Sequence, residues 1–122
     1  MGPEAQYFEN LKQGRFMLQR RNTGQYVFYP RWLPGDWEWT EVSGKGEVYS
    51  RTVVRQPAER GGDYCIALVT LAEGPRMMTR VIGIAPSDVT IGMKVRAEIA
   101  VPDWNPDAGP NVVFLPAAVG ER

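Results

Sequence analysis

The run Ser43-Gly44-Lys45-Gly46-Glu47-Val48-Tyr49-Ser50-Arg51-Thr52-Val53-Val54 constrains the fold more than any other stretch of the chain. A Gly-x-Gly break opens into residues rich in Val, Thr and Tyr, which suit a pleated, half-buried surface. Alternation predicts a strand over 47–55, with Val48, Ser50, Thr52 and Val54 on one face. Glu47, Tyr49, Arg51, Val53 and Arg55 take the other. Gly44 and Gly46 permit the bend and close backbone approach that a strand needs on entering a small barrel. More strands follow with Gly and Pro at their ends, so the expectation becomes the first strand of a five-stranded barrel.

The second strand, Tyr64–Leu71, is apolar at every position but Thr70 and predicts a central strand covered on both sides. Glu73-Gly74-Pro75 turns the chain into a third strand over 76–84. Residues 86–92 read as a connecting turn with Ser87 as its cap. In the fourth strand Met93, Val95, Ala97, Ile99 and Val101 alternate inward, against Lys94, Arg96 and Glu98. A long loop from Pro102 to Asn111, holding Trp104, leads to a short closing strand over 112–115 and a tail from Pro116.

Before the barrel, residues 3–13 predict a helix. Pro3 suits a first turn, Glu4 favours the positive helix end, and Gly14 is a stop. Tyr7, Phe8 and Leu11 form one apolar stripe, which either packs on the chain's own domain or docks a partner. Residues 15–42 predict a three-stranded unit: strands at 15–20 and 25–29 around Asn22-Thr23-Gly24, a turn at Trp32-Leu33-Pro34-Gly35, and a strand at 36–42. Trp37, Trp39 and Glu41 share a face there. The two indoles read as core packing or as a ligand-stacking platform. The expected organisation is therefore helix 1–14, three-stranded unit 15–42 and barrel 43–122, a mainly β chain.

Charge and composition exclude several functions. Fourteen basic and fourteen acidic residues cancel, leaving no global field to hold a polyanion. There is no histidine, which removes Ser-His and Cys-His nucleophile pairs and histidine metal ligands. The single Cys65 excludes an internal disulfide framework and lies in the most apolar strand, where a thiol behaves as an inert small hydrophobe. No segment has the roughly 18 consecutive apolar residues of a membrane span. The first residues lack the basic and apolar regions of a signal peptide, so a cytoplasmic location is expected.

Several words resemble the acyl-CoA-associated OB-fold family, long filed as domain of unknown function 35. They are Ser43–Val54, Tyr64-Cys65-Ile66-Ala67-Leu68-Val69, Leu71-Ala72-Glu73-Gly74-Pro75-Arg76 and Ile91-Gly92-Met93-Lys94-Val95. The likeness runs from Tyr7-Phe8 to Phe114. It implies an N-terminal helix, a rubredoxin-like zinc ribbon and a C-terminal OB barrel. Members of the family are similar in accompanying thiolases, thiolase-like aldolases or hydratases, without supplying catalytic residues. The family's Cys-x-x-Cys pairs are missing here: Arg20 and Thr23 stand at the first, and the second has shrunk to Trp32-Leu33-Pro34-Gly35. Zinc is accordingly expected to be absent, with Phe16, Leu18, Tyr26, Phe28, Trp32, Trp37 and Trp39 supplying apolar area in its place.

The function expected from this resemblance is a non-catalytic accessory subunit that binds acyl-CoA, or bridges a thiolase-like, aldolase-like or hydratase-like enzyme. Tyr49, Arg51, Arg55, Tyr64, Arg76 and Arg80 are the candidate acyl-CoA contacts, since Arg recognises phosphate and aromatic rings stack on adenine. Tyr7, Phe8 and Leu11 are the candidate partner contacts. No catalytic residue is expected. The alternative is a single-stranded nucleic-acid-binding OB module, against which stand the zero net charge and Glu47, Glu59, Asp63 and Glu73 in the same loops. An independent enzyme would have to rely on Cys65 without a histidine to activate it.

Overall fold

The computed structural model describes residues 2–102 and 105–117. Helix α1 spans Pro3–Lys12, with Pro3 in the first turn, Glu4 near the positive end and Lys12 in the last turn. Gly14 ends it in the left-handed region at φ +77°. Its N–H donates to Leu11 O at 2.9 Å, and the Arg15 N–H donates to Asn10 O at 2.9 Å, so the last carbonyls keep partners.

The next unit is a three-stranded antiparallel sheet of β1 (Met17–Arg21), β2 (Tyr26–Val27) and β3 (Trp37–Glu41), in the order β2-β1-β3. The Asn22–Gly24 hairpin forms where expected, closed by Arg21 N–H to Gln25 O at 2.8 Å. β2 stops after two paired residues, short of the expected strand over 25–29.

The rest is the expected five-stranded OB barrel. Its strands are β4 (Lys45–Val54), β5 (Tyr64–Leu71), β6 (Arg76–Val81), β7 (Lys94–Ala100) and β8 (Asn111–Pro116). They close in the order β4-β5-β6-β8-β7, and the β6–β8 contact is the parallel one, through Val81 and Phe114. Between β6 and β7 a 3₁₀ turn at Pro86–Asp88 leads to Val89, which is fully buried. Tyr7, Leu11, Phe16 and Leu18 join Val48, Val69, Met77, Val95 and Phe114 in one buried cluster, so helix, small sheet and barrel share a core.

Other expectations change as well. The helix stripe is real but faces inward: Tyr7 and Leu11 are 2% and 1% exposed, so they are taken up by the chain's own core, and only Phe8 stays half-buried. β5 is covered on one face only, because Cys65, Ala67, Val69 and Leu71 are buried while Tyr64, Ile66, Leu68 and Thr70 are half-buried. A bulge between Val48 and Ser50 breaks the alternation of β4. Val101, expected inside, is exposed beyond the end of β7, as is Trp32 in the turn before β3. Ala85, not Ser87, precedes the 3₁₀ turn and no side chain caps it. Trp104 and the tail from 118 lie outside the described residues. Among the described residues no helix is long and apolar enough to cross a membrane.

The shared core predicts how stability depends on pH. Burial first, and then the neighbouring Tyr29 hydroxyl, push the Tyr7 phenol well above its ordinary range. Burial pushes the Cys65 thiol up as well. Both groups are neutral when protonated and titrate later in the folded chain than in the unfolded one. Their contribution is complete below the unfolded values, near pH 8.5 for a thiol and about 10 for a phenol, and is lost as pH rises toward the folded values. The thermal midpoint should therefore decline above about pH 8.5, and more steeply above about 10. Tyr7→Phe should flatten the steeper part; an unaltered alkaline limb in that variant would contradict the assignment.

Candidate functional site: the outer face of β5 and β6 and its cleft

The register of β5 and β6 sets out the surface. Ile66 stands opposite Arg80, Leu68 opposite Met78 and Thr70 opposite Arg76. Inward alternation of Met77, Thr79 and Val81 leaves Arg76, Met78 and Arg80 on the outside. Each arginine lies over a ring: Arg80 is 3.7 Å from the Tyr64 centroid and Arg76 is 3.9 Å from that of Tyr49. Arg76 Nε also donates to Thr70 Oγ1 at 3.2 Å. Stacking engages the face of a guanidinium, whose in-plane donors are the groups that recognise phosphate and carboxylate. Between the two stacked pairs Met78 is 70% exposed.

Four of the six residues singled out as acyl-CoA contacts thus come together on one face, as Tyr49 with Arg76 and Tyr64 with Arg80. The other two do not. The bulge at Tyr49 puts Arg51 opposite Ala67, which points into the barrel, so Arg51 leaves the outer face. Arg55 pairs with Asp63 at 2.7 Å. Hydrogen bonds from Arg55 and then from the Gln56 N–H hold the Asp63 carboxyl below its usual range.

At the Tyr64–Arg80 end the face deepens into a cleft of about 560 Å³. Phe8 of the helix and Phe28 and Tyr29 of the segment after β2 form one wall. Tyr64, Ile66, Met78 and Arg80 form the floor, and Asn105 and Ala108 before β8, with Asn111 at its start, form the far side. The aromatic wall is fixed by edge contacts: Tyr7–Phe28 at 6.0 Å and Phe28–Tyr29 at 5.3 Å between centroids. Thr79, on the inner side of β6, donates its hydroxyl to Val112 O at 3.1 Å and ties β6 to β8 beneath the cleft.

A larger groove, about 790 Å³, runs between β4 and β7 and has Tyr49 at its edge. Its Glu47 and Lys94 neutralise one another at 2.6 Å. The smaller cleft is the better candidate because three separate elements converge there on a stacked Arg–Tyr pair. It also lies on the second and third barrel strands, beside the loop between the fourth and fifth, where OB folds hold ligands.

Residues 39–100 match the family model described as "ChsH2, C-terminal OB-fold domain". The chain belongs to that family. It is similar to a "Probable enoyl-CoA hydratase alpha subunit" of Thermomonospora curvata, 37% identical over 97% of this chain and 39% of that protein. It is also similar to a "DUF35 domain-containing scaffold protein" of Methanothermobacter thermautotrophicus, 33% identical over 71% of this chain and 78% of that one. Among solved structures it resembles a chain of an "Ltp2-ChsH2(DUF35) aldolase", with a TM-score of 0.80 and 35% identity over 95% of both chains. The chain spans 39% and 35% of the two hydratase alpha subunits that it matches.

The zinc ribbon implied by the resemblance does not fit the donor set of this ChsH2-type chain. Arg20, at a first-knuckle ligand position, lies 5.7 Å over the Tyr26 ring instead. Among the described residues no group of three or more His, Cys, Asp or Glu could hold a metal ion. Of the residues named as replacement, Phe16 and Leu18 are buried and Tyr26, Phe28, Trp37 and Trp39 are half-buried, while Trp32 is 76% exposed and contributes nothing to the core. Trp37 and Trp39 meet edge-to-face at 5.4 Å, and Trp39 Nε1 donates to Gln6 Oε1 at 2.7 Å. That pair fastens α1 to β3 and does not lie flat as a stacking platform.

Sequence reasoning missed Met78, the Phe28–Tyr29 wall and Gln19. Met78 was masked by the reading of β5 as covered on both sides, which left no outer face for its neighbour to line. A glutamine in a strand reads as surface, so nothing in the sequence marked Gln19 as fully buried.

Proposed function

We propose that this chain is a non-catalytic accessory subunit of an enzyme acting on CoA thioesters, joined to a thiolase-like, aldolase-like or hydratase-like partner. In this reading the cleft beside Tyr64 and Arg80 receives acyl-CoA. The observation that carries it is the match, over 95% of both chains, to a chain of an Ltp2-ChsH2(DUF35) aldolase. The hydratase alpha subunit and scaffold descriptions of the relatives support the same reading.

The residues agree with an accessory role. With no histidine, the commonest general base is missing. Cys65 is 1% exposed and its thiol is pushed up by burial, the opposite of what a nucleophile needs. The cleft combines aromatic walls, which suit an adenine or an apolar acyl group, with one guanidinium for a phosphate.

Calorimetric titration with an acyl-CoA tests the ligand half. Arg80→Ala should weaken binding about tenfold, the loss of one or two charge-assisted hydrogen bonds. Arg55→Ala, outside the cleft, should leave it unchanged. Co-expression with thiolase-like, aldolase-like and hydratase-like enzymes from the same source, followed by size exclusion, tests the partner half. Turnover of a CoA thioester by the chain alone, or separate elution from every such enzyme, would refute the accessory role.

A further inference from the structure

Among the described residues Gln19 is the one polar side chain that is 0% exposed, and both its amide atoms are used on a single residue. Its Nε2 donates to Arg31 O at 2.6 Å, and the Arg31 N–H donates to its Oε1 at 3.0 Å. A primary amide meeting a peptide in this way makes the paired bonds that a neighbouring strand would make. The backbone of Gln19 sits in the middle of the small sheet, opposite Val27 on one side and Trp39 on the other. Arg31 lies in the 28–36 segment, which belongs to no strand. The side chain therefore bridges the central strand to the loop where the resemblance places the second metal knuckle.

The effect reaches the cleft. Arg31 Nη1 donates to Tyr29 O at 3.2 Å, and Tyr29 packs on Phe28, which together form the cleft's aromatic wall. A buried amide is costly unless both of its partners are present, so the loop is held as long as Gln19 is inside.

We infer that the Gln19 side chain does the cross-linking work of a metal ion in the three-stranded unit. It is the positioning residue that pins Arg31 to β1 and so holds the Phe28–Tyr29 wall, and the unit folds without metal. Nothing in this depends on what the cleft binds.

The test uses the full chain, elemental analysis, thermal melts with and without a strong chelator, and hydrogen exchange at the Arg31 amide. Wild type should carry no stoichiometric zinc, melt identically with chelator, and protect the Arg31 amide. Gln19→Leu keeps the bulk but removes both bonds, and should speed exchange at Arg31 by about tenfold or more. Gln19→Glu, of the same shape, separates a clamp from mere packing. Its carboxyl can donate to Arg31 O only when protonated; the cross-strand neighbours Val27 and Trp39 are uncharged, and the Arg31 guanidinium, the charged group on the clamped residue, is turned to Tyr29 O. The Gln19→Glu midpoint should therefore lie closer to that of wild type at pH 5 than at pH 7, with Arg31 protection returning in parallel, roughly as expected for a buried carboxyl of raised pKa. One equivalent of zinc, a chelator-sensitive midpoint, or a Gln19→Glu variant that tracks wild type equally at both pH values would overturn the inference.

Discussion

Phe114→Ala is expected to destabilise the chain by about 3–5 kcal/mol, the range for deleting a fully buried ring. The side chain is 0% exposed and stands where the barrel closes. β8 is held there by two different strands: Phe114 pairs with Val81 of β6 and with Ala97 of β7. Its carbonyl accepts from the Ile82 N–H at 2.8 Å. With its backbone fixed on both sides, β8 cannot move inward to fill the space, so most of the cavity penalty should persist. A domain of this size has only about 5–15 kcal/mol in total, so the variant should be marginal at physiological temperature. Phe8→Ala is the control, because that ring is half-buried at the cleft wall and should cost much less. Urea unfolding with an unchanged slope would measure both. A Phe114→Ala loss under about 1 kcal/mol, the scale of a surface change, would mean that the ring does not fill a closed barrel.

The barrel was legible in the sequence because most of its strands carry their own alternation and lie between turn residues. Lys94–Ala100 sorts correctly into inward Val95 and outward Lys94, Arg96 and Glu98 from the pattern alone. β4 did not, since a bulge adds one residue without changing composition and reverses the facing of all that follows. That single residue at Tyr49 separated Arg51 from the arginines it was grouped with. For β5, apolarity on both faces was read as burial on both faces. The structure uses the second face as the floor of a cleft, and an apolar side chain cannot say whether chain or ligand will cover it. The helix stripe shows the same ambiguity resolved the other way, with Tyr7 and Leu11 covered by their own core. Gln19 was illegible for a different reason. Its partner is a backbone twelve residues away, and no pattern in the sequence records which backbone groups a loop leaves in need of a bond.

Gly46 should tolerate substitution worst among the described glycines, although its φ is not in the left-handed region. A Cβ added there would lie 2.5 Å from Val69 Cγ1 and 3.1 Å from Thr70 O. The first neighbour is a stiff, fully buried β-branched side chain and the second is backbone, so neither can swing aside. Nor can the strand retreat, because Gly46 pairs with Leu71 of β5 and with Val95 of β7, the two sides of the closure. Gly46→Ala should lose about 1–3 kcal/mol as an overpacked site, even after the gain of about 0.4–1 kcal/mol from a stiffer unfolded chain. Gly46→Val adds two methyls in the same space and should lose more, approaching the Phe114 cavity in size. Gly44, two residues earlier, sits at φ +79° with the Ala97 Cβ 3.3 Å away, so its cost combines backbone strain with a milder contact. Gly62→Ala isolates the strain, since Gly62 has φ +79° and nothing within 4 Å. It should cost about 1–2 kcal/mol, the penalty for a left-handed residue with a Cβ. The two glycines of the Gly-x-Gly break are thus required for different reasons, one to turn the chain and one to let β4 lie against Val69 and Thr70 of β5 at contact distance. If Gly46→Ala unfolds at the wild-type urea midpoint, that close approach does not exist in solution, and β4 enters the barrel by some other path.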